Sequence, residues 1–291
     1  MTIAMCYLSS EGVVLGADST STTLGLNGRH YLNHEQKLFE VGEDSTIGIL
    51  TWGLGGFWDK SYRTMFADLG AFAKQQDDPP IDIVAQRWCQ DVWKQYTHCL
   101  SAQLARLRAL HGAVQNAGSG EEGNCVTIEE KNEYFHLLQN LPVGFCIGGY
   151  SEKDRAAKAF EIILDPLKEQ PQLRPLQRGS LSCWGVPSII HRMLFACDPV
   201  VKQKIADSER WSGSAEELDE LIAPHVLSHN YLPMREAVDF VHTCIYSTIK
   251  AIKFSSLPQT CGGPIELAVI TTDRRFRWVR HKTWNAAISE V

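Results

Sequence analysis

Thr2-Ile3-Ala4-Met5-Cys6-Tyr7-Leu8, then Ser9-Ser10-Glu11-Gly12, then Val13-Val14-Leu15-Gly16-Ala17-Asp18: this stretch, preceded by Met1, is the most telling in the sequence. Two apolar runs, Ile3 to Leu8 and Val13 to Ala17, flank a short stretch of turn formers that ends in a glycine able to take positive φ. That is the pattern of a buried hairpin. In an antiparallel pair centred on the turn, residues whose numbers sum to about 21 face each other. Thr2 is then set opposite Ser19, and Ile3 opposite Asp18, so the start of the chain and Asp18 are expected to be neighbours.

An initiator Met before a small residue such as Thr is normally trimmed, which leaves Thr2 as the expected mature terminus with a free α-amine. Such an amine titrates near ~7.7 to 8 and is partly unprotonated at neutral pH. It can take the proton of the hydroxyl on its own residue, so that one residue carries both nucleophile and base.

With those residues in view, the stretch resembles the amino terminus of proteasome β subunits and of the related bacterial HslV protease. The family has a mature N-terminal Thr, an apolar strand, a turn, a strand of the type Gly-Val-Val-Leu-Gly-Ala, and then an Asp. Here Gly12-Val13-Val14-Leu15-Gly16-Ala17 leads to Asp18, in the same frame from Thr2. The resemblance implies an N-terminal nucleophile hydrolase, an α+β protein with the four-layer αββα sandwich of two antiparallel sheets flanked by helices.

Composition agrees with a globular chain. At 291 residues with 44% hydrophobic residues it can bury a full core as one large domain or two small ones. A net charge of −6 argues against a nucleic-acid partner. No apolar run approaches the ~18 residues of a membrane span, and the first residues lack the basic flank and cleavage site of a signal peptide. A cytoplasmic protein without a membrane partner is expected. The cysteines, at positions 6, 89, 99, 125, 146, 183, 197, 244 and 261, form no Cys-x-x-Cys and mostly sit in apolar runs, so they read as reduced core residues rather than zinc ligands.

Taken in order, Ser19 to Leu32 reads as a polar loop, and Lys37-Leu38-Phe39-Glu40-Val41 as a short strand. Lys37 shares the face of Phe39 and Val41 by the two-residue period. A lysine there is costly unless a carboxylate pairs with it, and Asp18 is the candidate. Ile47 to Trp52 reads as a strand ending in Gly53-Leu54-Gly55-Gly56. Helices are expected over Trp58 to Ala73 and, after Pro79-Pro80, along the stripe Val84, Trp88, Val92, Tyr96, Leu100 and Leu104. Residues 112 to 124 read as loop. Strands follow at Pro142 to Gly149, Lys158 to Leu164 and Ser180 to Trp184, then a helix from Pro187 through Leu194. Ser214 and Glu217 form a capping box, Met234 to Phe254 is a helix, and Pro264 to Thr271 a strand.

The resemblance assigns roles to particular residues. It places an Asp and a Lys beside the nucleophilic Thr, here Asp18 and Lys37, and it makes the backbone N–H at Gly53 the oxyanion donor. Gly53 stands two residues further from the Lys than is usual. Other positions depart from the family. Val186 stands where a serine follows Gly185, Pro258 and Cys261 replace an Asp and a Ser before Gly262-Gly263, and Thr20 occupies the place of an Arg. Regions of about 105–140 and 207–230 are longer than the family's and read as insertions in a single domain spanning 1–291.

His225 and His229 are four apart but lack a third ligand in sequence, and the segment has loop character. Arg275, Arg277 and Arg280, interleaved with Phe276 and Trp278, read as a half-buried edge strand rather than a nucleic-acid surface. No cofactor motif and no metal motif is present. Two functions stay open. One is a threonine-type peptidase or amidohydrolase acting on peptide or amide bonds within a self-associated, ring-like oligomer. The other is a catalytically silent subunit of the same fold with an assembly or binding role.

Overall fold

The computed structural model describes residues 2–25, 28–117, 126–227 and 231–282. Met1, Cys125 and His229 lie outside the described residues, as do 118–125 and 228–230 within the two expected insertions. In chain order the elements are β1 (Ile3–Leu8), β2 (Gly12–Ala17), β3 (Ser21–Gly25), β4 (Gly28–Leu32), β5 (Leu38–Glu40), β6 (Ile47–Gly53), α1 (Tyr62–Gln75), α2 (Ile81–Cys99), α3 (Ser101–Ala117) and α4 (Ile128–Asn140). Next come β7 (Val143–Gly149), β8 (Lys158–Leu164), β9 (Gln172–Pro175), β10 (Ser180–Gly185), α5 (Ser188–Leu194), α6 (Pro199–Ala206), α7 (Ala215–Ile222), a 3-10 turn Ala223–His225, α8 (Met234–Lys253), β11 (Glu266–Thr271) and β12 (Arg274–Arg280). The protein is mixed α+β, with two five-stranded sheets. Its contacts divide it into two compact units, the first comprising Met1–Leu38, Gln177–Val269 and Arg277–Val291, the second Phe39–Leu176 and Ile270–Phe276.

In the first unit the sheet order is β10-β1-β2-β11-β12. The pairing of β1 with β2 sets Ala4 opposite Ala17 and Cys6 opposite Leu15, the register expected from the sequence. One further step along, the Asp18 N–H donates to the Ile3 carbonyl at 3.1 Å. Every residue of β1 and β2 is buried, which explains why both read as continuous apolar runs rather than alternating ones. Helix α8 lies on these strands through Val241, Cys244, Ile245, Thr248 and Ile252, one stripe at helical spacing. Gly16 lets it come close, because a Cβ there would meet Val241, Ile245 and Leu267 at 2.7 to 2.8 Å. At the sheet edge, β12 bears out the edge-strand reading of the arginine-rich stretch, with Phe276 buried between exposed Arg275 and Arg277.

The polar loop expected over Ser19 to Leu32 is instead a hairpin of β3 and β4, Ser21 facing Leu32 and Thr22 facing Tyr31. Its polarity hides the β-propensity of Thr22, Thr23 and Tyr31, which suits a pair of strands. Helix α6 was not anticipated either. It starts on an Asp198 cap whose side chain accepts from the Val200 N–H, with Pro199 just inside. The capping box at Ser214 and Glu217 is present and opens α7.

The second unit has sheet order β5-β6-β7-β8-β9, with β6, β7, β8 and β9 successively antiparallel. Its core joins the sheet to α1 and α2 through aromatic contacts: Phe66 to Trp88 at 4.8 Å, Trp88 to Phe145 at 5.0 Å and Tyr62 to Phe145 at 5.2 Å between ring centroids. The stripe Val84, Trp88, Val92, Tyr96, Leu100 and Leu104 is buried throughout, but the helix breaks at Leu100 and restarts as α3. Residues 112–117 are helical rather than loop, because α3 runs on to Ala117. Trp58 is not a helical core residue: α1 begins later, behind the Ser61 cap, and Trp58 is 87% exposed. The short strand β9 carries no alternating signal and was missed.

Candidate active site

Thr2 enters β1 under a close backbone contact. The pairing of β1 with β10 sets Ile3 opposite Gly185, and Gly185 holds φ at +84°. A Cβ on Gly185 would lie 1.7 Å from the Thr2 carbonyl oxygen, so that position admits only glycine. Thr2 is 5% exposed.

Asp18 is wholly buried and collects four donors. Its Oδ1 accepts from the Lys37 ammonium at 2.7 Å and from the Ile3 N–H at 3.1 Å. Its Oδ2 accepts from the Gly262 N–H at 2.8 Å and the Thr20 N–H at 3.2 Å. Lys37 is 4% exposed and also donates to the Thr20 carbonyl. The expected pairing of Lys37 with Asp18 is therefore realised, and Asp18 is tied to the residue that follows Thr2. One cation and three oriented amides thus supply the hydrogen bonds that this buried carboxylate needs.

Thr20 gives its backbone to Asp18 and Lys37, while its hydroxyl donates to Asn33 Oδ1 at 2.9 Å. Cys261 is wholly buried, and burial first, then the charge of Asp18, pushes its thiol up to about 12. Such a thiol is no nucleophile at neutral pH. Val186 packs with the apolar cluster of this unit. The Pro258 carbonyl accepts from the Thr260 N–H at 2.8 Å, shaping the turn that delivers Gly262.

Gly53 closes β6 in the second unit, with φ at +87° and the Pro142 carbonyl oxygen 2.2 Å from where a Cβ would be. Its backbone conformation is available to glycine and strained for any other residue.

Sequence reasoning missed a second charged group beside the first. Glu266, at the start of β11, is wholly buried, and the Lys282 ammonium lies 3.3 Å from its Oε2. Lys282 also donates to the Ser19 hydroxyl at 3.2 Å and to the Glu35 carbonyl at 2.7 Å. Burial lowers the proton affinity of Lys282, and Glu266 opposes that shift. His281 Nδ1 lies 2.7 Å from Glu266 Oε1, near enough to pair by charge but not aligned for a hydrogen bond. The signal was available: Glu266 opens an otherwise apolar strand, Glu266-Leu267-Ala268-Val269-Ile270, the same oddity that singled out Lys37. Missing too were the Thr20 and Gly262 N–H donors, which side-chain patterns do not reveal.

Among the described residues no group of three His, Cys, Asp or Glu could hold a metal ion, and no helix is long and apolar enough to cross a membrane. His225 stands in a 3-10 turn; His229, four residues on, lies outside the described residues.

No protein-family model matches the chain, and no curated protein matches it. Among solved structures it is similar to a mutant of Anbu, titled "Gly-1", from Hyphomicrobium sp. strain MC1, at 12% identity, covering 100% of this chain and 98% of that one, with a TM-score of 0.46.

Proposed function

We propose that this protein is a threonine-type peptidase or amidohydrolase whose nucleophile is Thr2, exposed as the terminal residue by removal of Met1. The observation that carries the reading is the buried Asp18–Lys37 pair, bonded through Asp18 Oδ1 to the Ile3 amide next to Thr2. A lysine and an aspartate are costly to bury, and a purely structural site is served as well by apolar residues. Their cationic end favours loss of the Thr2 proton and steadies negative charge developing near it.

In the proposed reaction the free Thr2 amine takes the proton of Oγ1 as that oxygen attacks the carbonyl carbon of a peptide or amide. The tetrahedral intermediate collapses to an ester on Oγ1, and the amine returns its proton to the leaving nitrogen. Water, deprotonated by the same amine, then attacks the ester, releasing the acid and restoring the hydroxyl. This rests on Thr2, Asp18 and Lys37; Gly53 as oxyanion donor enters only through the family resemblance. The αββα stacking, the ring-like self-association and a cytoplasmic setting belong to the same proposal, as does a peptide or amide substrate.

A silent subunit is the second reading. It is favoured by Val186, which gives an apolar contact where the family has a hydroxyl. The mass of the intact purified protein, before and after treatment with a peptide epoxyketone, separates the two. Loss of Met1, together with adduct formation at Thr2 by a peptide epoxyketone, is the expected result. A retained Met1, or labelling at Cys6 or Cys261 instead, overturns the hydrolase reading.

A further inference from the structure

Two segments carry the Asp18–Lys37 pair: 18–20, which supplies Asp18 and the Thr20 carbonyl, and 35–37, which ends in Lys37. They touch each other through the Glu35 N–H, which donates to the Ser19 carbonyl at 3.0 Å. Lys282 reaches both. Its ammonium bonds the Ser19 hydroxyl in one segment and the Glu35 carbonyl in the other, while the buried carboxylate of Glu266 holds it in place. A lysine beside a serine hydroxyl could suggest a second nucleophile pair. Ser19 is wholly buried, however, and Lys282 is committed to Glu266 and Glu35, so neither is placed to meet a substrate.

We infer that Lys282 is a positioning residue that clamps the Ser19 and Glu35 segments together and so fixes the distance between Asp18 and Lys37. Glu266 is its counter-charge. The clamp itself is independent of the chemistry; its effect on rate rests on the threonine-hydrolase reading. A carboxylate and an ammonium act on a neighbouring reaction only when held in place, and a misplacement of about 1 Å can cost on the order of 10²-fold.

The test uses the full chain and its Lys282→Met and Lys282→Arg variants. Amide hydrogen exchange is followed at Ser19, Thr20 and Glu35, whose N–H groups bond to the Gly262 carbonyl, Asp18 and the Ser19 carbonyl. Met5 and Leu15, inside the hairpin, are controls. Lys282→Met is expected to speed exchange at the first three by about tenfold or more with the controls unmoved. Lys282→Arg, which keeps the charge and the donors, is expected to restore protection. Equal exchange in parent and Lys282→Met, or a rise of the same factor at Met5 and Leu15, overturns the inference. Should Lys282→Met not fold, Glu266→Gln, which weakens the hold on Lys282 while keeping its shape, is read by the same amides and criterion. Epoxyketone labelling of Thr2 is then compared: a fall of between about 10- and 100-fold in Lys282→Met, recovered in Lys282→Arg, is expected. Loosened amides in a protein whose parent is never labelled would leave the clamp standing and remove the hydrolase reading instead.

Discussion

Asp18 is the residue on which the first unit's polar interior depends. It sits at the end of a fully apolar hairpin, and its charge is tolerable only because Lys37 and three amides converge on it. Breaking a buried pair by removing one partner leaves an uncompensated charge, at a cost of about 3–5 kcal/mol. Lys37→Met is therefore expected to lower the denaturant midpoint strongly, and adding Asp18→Asn is expected to return part of the loss, since the double variant buries no net charge. Thr2 labelling should fall by orders of magnitude in both. Near-parental turnover in Lys37→Met would make Lys37 a structural residue and take away the main support for catalysis. Cys261 offers a complementary check. With its thiol pushed up to about 12, it should stay unmodified by iodoacetamide at pH 8 in the native protein and react only after unfolding.

Among the elements, the hairpin was legible because its register has one solution. Slipping β1 against β2 by a residue would turn the Asp18 side of the pair away from Ile3, and the turn at Ser9 to Gly12 forbids it. Lys37 with Asp18 was legible for a thermodynamic reason, the cost of a solitary buried ammonium. What escaped was carried by backbone or by distance in sequence. Gly262 contributes an N–H from a turn far along the chain, and Glu266 finds its cation on the far side of β12. The β3–β4 hairpin escaped because its strands are too polar to show periodicity.

The junction of β10 with β1 gives a sharp test at this scale. Gly185→Ala would bring a methyl group onto the Thr2 carbonyl and force a strained φ, so it should destabilise well beyond Gly16→Ala. In the latter the clash is only with side-chain ends on α8 and β11, and the overpacking should cost about 1–3 kcal/mol by denaturant unfolding.

Helix α5 predicts a pH response. His191 packs its ring against Phe195 with Cys183 Sγ 3.6 Å from Nε2, and burial lowers its proton affinity in spite of Asp198. The unfolded chain then binds more protons than the folded one once pH drops below the unfolded value near 6.5. This contribution to stability is complete above that value and is lost as pH falls through the lowered folded value. Denaturant midpoints compared at pH 7.5 and pH 5 should fall more for the parent than for His191→Gln, and equal falls would exclude the histidine as the source.

For the whole molecule, the proposed self-association needs large apolar groups on the surface. Trp88 cannot serve, being core and 1% exposed. Trp58, at 87% exposed, remains available, and the end of α8 adds Phe254 at 79% and Leu257 at 61%. Solitary exposed apolar residues are ordinary on a protein surface, but two large ones close in sequence after an amphipathic helix are a candidate contact. Light scattering at micromolar concentration is expected to return a multiple of the 32.6 kDa chain mass, and Phe254→Asp with Leu257→Asp to shift it toward one chain without changing the denaturant midpoint of the monomer. If the double variant keeps the parental mass while Trp58→Asp lowers it, the contact lies at Trp58. A parent that scatters as a single chain would withdraw the ring, and would leave Asp18, Lys37 and Lys282 to be judged on the chemistry of one chain alone.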